Sequence, residues 1–216
     1  MGFLRYLVFQ VRNPRGFLGK KIAKRMNKGH AALAEWGLSN TKLKGNMDIL
    51  DVGCGGGANI NSFAKVVTEG KIFGVDYSTA SVETSKEVNK EFINSGRVEI
   101  HHSSVSELPF DENTFDLVSG FEAYYFWPDL INDLKEIYRV LKNNGILLLV
   151  NEGYKCENEK KRKIAEKWAK LGNFKIHSPN EYKEFLTRAG YTDIQIIEQK
   201  EQGWITSIAN KKKIKN

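Results

Sequence analysis

Two cysteines, Cys54 and Cys156, are all the thiol that this 216-residue chain carries. They cannot build a disulfide framework or a four-thiolate zinc site, and so little thiol suits a reducing cytoplasm. Proline is as sparse, at four residues, which excludes a linker-rich or collagen-like chain. No apolar run approaches the roughly 18 residues needed to span a bilayer. The longest, Leu4 to Val11 and Ile146 to Val150, fall far short, so a soluble, cytoplasmic protein is expected. The N-terminus, Met1-Gly2-Phe3-Leu4-Arg5-Tyr6, has no small-residue cleavage site before Asn13-Pro14, and Tyr6 stands where a myristoylation signal needs Ser or Thr. The His and acid spacings form no metal-ligand set, so no metal is expected.

Twelve Phe, eight Tyr and four Trp supply enough apolar surface for one substantial core, which argues against disorder. The net charge of +7 is unevenly spread. Residues 1–46 hold ten Lys/Arg against Glu35 alone, residues 155–170 hold seven bases against three acids, and Lys211, Lys212, Lys213 and Lys215 crowd the end. Residues 47–154 are acidic, with 17 acids and eight bases. An acidic centre with basic flanks leaves an acidic partner, such as nucleic acid or a membrane surface, as an open question.

Met47 to Val52 is a short apolar run that stops at Gly53-Cys54-Gly55-Gly56-Gly57, after which Ile60, Phe63, Ala64 and Val67 recur at helical spacing. Strand, glycine loop and helix follow one another. Lys71 to Asp76 reads as a second strand, followed by a helix from Ser78-Thr79 with Val82, Ser85, Val88 and Phe92 inward. Val98 to His101 and Phe115 to Phe121 read as the third and fourth. Pro128-Asp129 opens a helix with Leu130, Leu134, Ile137, Tyr138 and Leu141 on one face, ended by Asn143-Asn144-Gly145. Ile146 to Val150 reads as a strand buried on both faces. Ser178-Pro179-Asn180-Glu181 is a capping box for a helix to Gly190, and Ile194 to Ile197 and Trp204 to Ala209 close the chain.

The fold expected is α/β: a Rossmann-like, doubly wound, mostly parallel sheet of about seven strands with a C-terminal antiparallel hairpin and an N-terminal helical cap. The organisation expected is a cap over 1–46, a ligand-binding domain over 47–210 and a frayed basic tail over 211–216.

Ligands of such sheets bind beyond the carboxyl ends of the strands. The glycine loop sits there, and its backbone can approach a ligand closely. Asp76 ends the second strand 23 residues after Gly53, where a carboxylate can accept both hydroxyls of a ribose. Gly53, Gly55 and Ala58 also satisfy the dinucleotide pattern, so these residues alone leave a nicotinamide oxidoreductase open.

Four ordered segments carry a more specific resemblance. They are Ile49-Leu50-Asp51-Val52-Gly53-Cys54-Gly55-Gly56-Gly57, then Gly74-Val75-Asp76, then Leu108-Pro109-Phe110 with Phe115-Asp116-Leu117-Val118, then Leu141-Lys142-Asn143-Asn144-Gly145-Ile146. Together the chain resembles the class I S-adenosylmethionine-dependent methyltransferases, of the type 11-like, small-molecule branch. The resemblance implies S-adenosyl-L-methionine as cofactor, with Asp51, Gly53, Gly55 and Gly57 at its methionine portion, Asp76 and Tyr77 at the ribose, and Ser104 with Val105 at adenine. Phe121, ending the fourth strand, is placed beside the cofactor as well. Relatives commonly carry Asp where Ser104 stands; a serine hydroxyl accepts the same bond without charge.

Methyl transfer from a sulfonium needs an in-line nucleophile and sometimes a base. Phe121-Glu122-Ala123-Tyr124-Tyr125-Phe126-Trp127 sets an acid beside aromatic rings, which suits a planar or cationic acceptor. Glu122 and Tyr124 are the expected acceptor-site residues, with Phe126 and Trp127 packing the next helix. His30 in the cap and Glu152 after the fifth strand are further candidates for acid–base work. Cys156 lacks any supporting motif for a thiolate nucleophile.

The expected function is methyl transfer to a small-molecule acceptor. An RNA or protein methyltransferase using the basic flanks is the alternative, and a noncatalytic S-adenosylmethionine-binding protein a third reading. Gly120-Phe121-Glu122-Ala123 stands where base-methylating enzymes carry [DNS]-P-P-[YF], so nucleic acid is not the favoured partner.

Overall fold

The computed structural model describes residue 10 and residues 12–212. Residues 1–9 and 11 of the expected cap, and 213–216 of the expected tail, lie outside the described residues. The strands form a seven-stranded sheet of order β3-β2-β1-β4-β5-β7-β6, as expected for a Rossmann-like methyltransferase fold. The chain divides into two compact units, one up to Ser104 and one from Val105.

The first unit runs α1 (Gly16–Gly29), α2 (Ala31–Ser39), β1 (Ile49–Val52), α3 (Ala58–Val66), β2 (Ile72–Asp76), α4 (Thr79–Val88), α5 (Lys90–Asn94) and β3 (Val98–His102). Its strands are parallel, with Ile49 opposite Ile72 and Ile72 opposite Val98. Ile60, Phe63 and Ala64 form the buried face of α3, which packs on β1 and β2. Helix α4 is covered on two sides, by the sheet and by α1, and its buried positions are accordingly small: Ala80, Ser81, Val82, Thr84 and Ser85. Val88 is 38% exposed rather than inward. It lies six residues beyond Val82, about 240° round a helix of 3.6 residues per turn, and so faces away. The cap is helical as expected, and part of its charge is already answered: Lys20 pairs with Glu83 at 2.7 Å and Lys24 with Glu87 at 3.1 Å.

The second unit runs β4 (Phe115–Phe121), a 3-10 turn (Tyr124–Phe126), α6 (Leu130–Val140), β5 (Leu141–Glu152), α7 (Glu159–Gly172), α8 (Pro179–Arg188), β6 (Tyr191–Gln199) and β7 (Trp204–Lys211). Strands β4 and β5 are parallel, while β7 runs antiparallel to both β5 and β6, which gives the expected hairpin. Leu147 to Val150 are buried throughout.

Three details differ from expectation. Helix α6 stops at Val140 rather than at Asn143, because Leu141 turns extended and buries its side chain opposite Phe115. Asn144, at φ 62°, then takes up the slack before pairing resumes at Ile146. Helix α7 reads in the sequence only as a charge run; its inner face is only Ala165 and Ala169, too little apolar signal to show a period. Lys211 is the last residue of β7 and not the start of a tail. It is 6% exposed, with its ammonium donating to the carbonyls of Leu141 (2.8 Å) and Arg139 (3.2 Å) and to Asn113 Oδ1 (3.0 Å). A cation is favourable at these carbonyls, which close the C-terminus of α6.

The capping box at α8 forms as read: Glu181 Oε2 accepts the Ser178 N–H at 2.8 Å, and Lys155 donates to the same carboxylate at 2.9 Å. Lys155 and the Ser178 N–H hold the Glu181 pKa down at about 2, from 4.5. The carboxylate therefore stabilises the fold fully above pH 4.5 and loses that contribution as pH falls toward 2. Glu181→Gln should flatten the acid limb of a stability–pH curve between those values, as measured by urea unfolding, while lowering stability at pH 7.

Candidate active site

In the first unit the glycine loop is folded by positive φ at Gly53 (76°), Gly55 (52°) and Gly57 (79°). The Gly53 and Cys54 N–H groups both donate to the Val75 carbonyl, at 2.8 and 3.0 Å, which fastens the loop to the end of β2. Asp76, next along, is 8% exposed and accepts from Gly55 N–H at 2.9 Å on one oxygen and Ser78 N–H at 2.8 Å on the other. One carboxylate thus joins the loop to the start of α4. Burial raises its pKa, opposed by those two N–H donors.

Room differs along the loop. A Cβ at Gly57 would sit 2.4 Å from Ser85 Oγ and 2.6 Å from Asn89 Nδ2, whereas one at Gly55 would meet nothing within 4 Å. Gly57 is there for packing, and Gly55 presents bare backbone to open space. Gly56 lies under α1, its carbonyl accepting from Asn27 Nδ2 at 2.9 Å. Ser78, the N-cap of α4, also donates from Oγ to the Pro14 carbonyl at 2.6 Å, so the cap is tied to the ends of this site.

Asp51 is buried in β1. Tyr77 is 42% exposed, with its hydroxyl donating to the Arg12 carbonyl. Ser104 lies two residues beyond β3, half-buried, and Ser103 N–H donates to the Asp76 carbonyl at 3.2 Å. His30 is the half-buried hinge between α1 and α2, its N–H donating to Met26 O at 3.0 Å.

In the second unit, Val105 is buried and Phe121 ends β4, half-buried. Glu122 follows at φ 53°, a left-handed conformation that costs a non-glycine residue roughly 1–2 kcal/mol. Its carboxylate accepts the Glu152 N–H, and the Tyr125 hydroxyl donates to the Glu152 carbonyl. Burial, and then the nearby Glu152 carboxylate, push the Glu122 pKa well above the usual carboxylate range.

Tyr124 is 3% exposed and sits among Tyr125, His177 and Tyr182, with ring centroids 4.2, 5.7 and 5.2 Å away. Its hydroxyl is 3.2 Å from His177 Nδ1. Burial lowers the His177 pKa and raises that of Tyr124, so both are neutral at pH 7. Trp127 packs against Gly120, whose Cβ would come within 3.3 Å of the indole, and Phe126 meets Phe174 edge-on at 5.6 Å. Both rings pack within this unit, Trp127 on β4 and Phe126 on Phe174, two residues beyond α7, where the sequence predicts both to seat the next helix. Cys156 is a buried thiol whose Sγ donates to the Asn158 carbonyl at 3.3 Å.

Sequence reasoning missed His177, Tyr182 and Asn151. The first two lie more than 50 residues from Tyr124 and no spacing rule joins them. Asn151, next to last in β5, is buried with neither amide atom partnered among the described residues.

The family model described as "Methyltransferase domain" matches residues 50–149. Those residues form a methyltransferase domain of the class I S-adenosylmethionine-dependent kind. The chain is 31% identical over 135 residues to cycloartenol-C-24-methyltransferase 1 of Oryza sativa subsp. japonica, matching over 61% of this chain and 39% of that one. It is 25% identical over 180 residues to the demethylmenaquinone methyltransferase of Staphylococcus saprophyticus, over 74% of this chain and 76% of that one. It therefore spans well under half the length of the plant relative. The fold is that of a S-adenosylmethionine-dependent methyltransferase from Aquifex aeolicus, with a TM-score of 0.71 and 20% identity over 88% of this chain and 97% of that one.

The geometry of the first unit leaves room for the cofactor of that family. Gly55 leaves the loop face open, and each Asp76 oxygen, holding one N–H, has a further lone pair for a ribose hydroxyl. Gly57→Ala, by contrast, should fail inside the protein rather than at a ligand. Left-handed strain of about 1–2 kcal/mol and overpacking of about 1–3 kcal/mol should together lower the urea-unfolding free energy by about 2–5 kcal/mol; an unchanged midpoint would refute the packing role.

Proposed function

We propose that the chain transfers the S-adenosylmethionine methyl group to a small-molecule acceptor whose O–H or N–H proton is taken by Glu122. The observation that carries this reading is the state of Glu122: a carboxyl group in left-handed backbone, desolvated, with its pKa pushed up and no Lys or Arg paired to it among the described residues. A structural acid in such surroundings would ordinarily be matched by Lys or Arg. A base poised closer to neutrality is what proton removal during alkylation needs.

The bound cofactor supplies an electrophilic methyl on a sulfonium. Asp76 would hold its ribose, and Gly53 and Gly55 would let backbone approach it, with Asp51, Gly57, Tyr77, Ser104, Val105 and Phe121 as the remaining cofactor-side residues. On the acceptor side, Glu122 takes the proton as the nucleophile alkylates. Tyr124, its hydroxyl held by neutral His177, offers an oxygen to orient the acceptor. His30, in the cap, would be a further acid–base group for the same reaction. The relatives named for cycloartenol and demethylmenaquinone support a small, lipid-soluble acceptor class over nucleic acid. So do the Lys20–Glu83 and Lys24–Glu87 pairs, which neutralise part of the basic cap.

Asp76 is best tested as Asn, because Ala would release both the Gly55 and Ser78 N–H groups, whereas Asn keeps one acceptor oxygen for one of them. Each hydrogen bond to a charged group is worth about 1.5–3 kcal/mol, so Asp76→Asn should weaken S-adenosylmethionine binding at least tenfold by calorimetry. Unchanged affinity would remove the ribose assignment. Glu122→Gln should leave cofactor affinity within about twofold and, on a quinol or phenol acceptor panel, lower kcat by about 10²–10⁴. A wild-type rate would take Glu122 out of the reaction.

A further inference from the structure

Helix α7 carries an apolar ridge that the fold leaves uncovered. Trp168 is 55% exposed and Ile164, one turn before it, 48%. Leu171 continues the same stripe, at the i, i+4, i+7 spacing that puts three residues on one side of a helix. The buried side of α7 is a different one, formed by Ala165 and Ala169. An indole and a branched alkyl group left in water, adjacent on one helix, are the kind of exposed apolar surface that marks a binding face.

The charges around the ridge say what kind of face it is. At 100° per residue, Lys160 and Lys167 border the ridge on its outer side and Lys161 on its inner side, while Glu159 and Glu166 fall on the opposite flank. The acids are also engaged, Glu159 with Lys163 at 2.7 Å and Glu166 with Arg162 at 3.8 Å. Lys160, Lys161, Lys167 and Lys170 have no ion pair among the described residues. Lysines edging a Trp/Ile/Leu stripe, with the acids turned away, are arranged for a layer that is apolar within and anionic at its surface.

The first unit presents the same combination separately. Phe17, on α1, is 75% exposed, with only the Lys21 ammonium over its ring at 4.7 Å. A nucleic acid would use the lysines but has no use for Ile164, and among the described residues no helix is long and apolar enough to cross a membrane.

We propose that α7 is an interfacial helix that lays Ile164, Trp168 and Leu171 into the surface of an anionic lipid bilayer, with Lys160, Lys161 and Lys167 at the headgroups. This binding is independent of the acceptor reading, since it needs neither cofactor nor turnover. The full chain should cosediment with vesicles of phosphatidylcholine containing 30 mol% phosphatidylglycerol (about a third anionic lipid) and not with phosphatidylcholine alone, and salt should weaken the binding. Ile164→Ser with Trp168→Ser should weaken it at least tenfold, and Lys160→Glu with Lys167→Glu at least as much, with S-adenosylhomocysteine affinity kept as a check on folding. Equal binding by wild type and the Ser pair would overturn the proposal, as would no binding to the anionic vesicles. So would tighter binding to an RNA oligonucleotide that the Ser pair leaves intact.

Discussion

The site depends on one carboxylate that does two jobs for the backbone before it meets any ligand. Asp76 takes the Gly55 N–H on one oxygen and the Ser78 N–H on the other. The first bond sets the turn that exposes the glycine loop; the second fixes where α4 begins. Burial opposes the charge and raises the pKa, and the two N–H donors offset part of that cost. A ribose would thus be met by an acceptor already oriented, with little side-chain freedom left to lose, which is the physical meaning of preorganisation at this position.

The arrangement also explains why the cap belongs to the cofactor side of the molecule. Helix α1 lies on α4, Asn27 donates to the Gly56 carbonyl and Ser78 Oγ to the Pro14 carbonyl. Anything that moves the loop therefore moves the N-terminal helices with it. Ser85 on α4 is small for a related reason: its Oγ lies 4.0 Å from Cys54 Sγ, so a larger side chain would push α4 off the loop. The basic charge of the cap then has a local use, since Lys20 and Lys24 pair with Glu83 and Glu87 across the same contact. Exposed pairs of this kind contribute only about 0–1 kcal/mol each, so they orient α1 more than they stabilise it.

How much of this was legible in the sequence follows from the range of each interaction. The strand–loop–helix unit at 49–66, the second strand ending in Asp76 and the Ser178 capping box are written within a few residues of chain, and all appear where the pattern puts them. Helix α7 was not legible, because two alanines are enough to seat a helix but not enough to make a period. Lys211 read as tail because lysine runs usually fray, and only the carbonyls at the end of α6 show why this one is buried. The Tyr124, His177 and Tyr182 cluster has no sequence signature at all, since it exists only once α8 has folded against the turn after β4.

That last cluster bears on what the acceptor side can do. A tyrosine whose pKa burial has raised is a poor base, and a histidine whose pKa burial has lowered is a poor acid. Their contact at 3.2 Å therefore holds a neutral hydroxyl in one orientation rather than moving a proton. Glu122 differs in kind: desolvation and the Glu152 carboxylate both raise its proton affinity, so each makes it a stronger base. On the proposed reading the two parts of the acceptor site would not be interchangeable. One would orient by a fixed neutral dipole, and the other would gain a charge-neutralising proton in surroundings that favour the neutral form, which suits an alkylation that releases a proton.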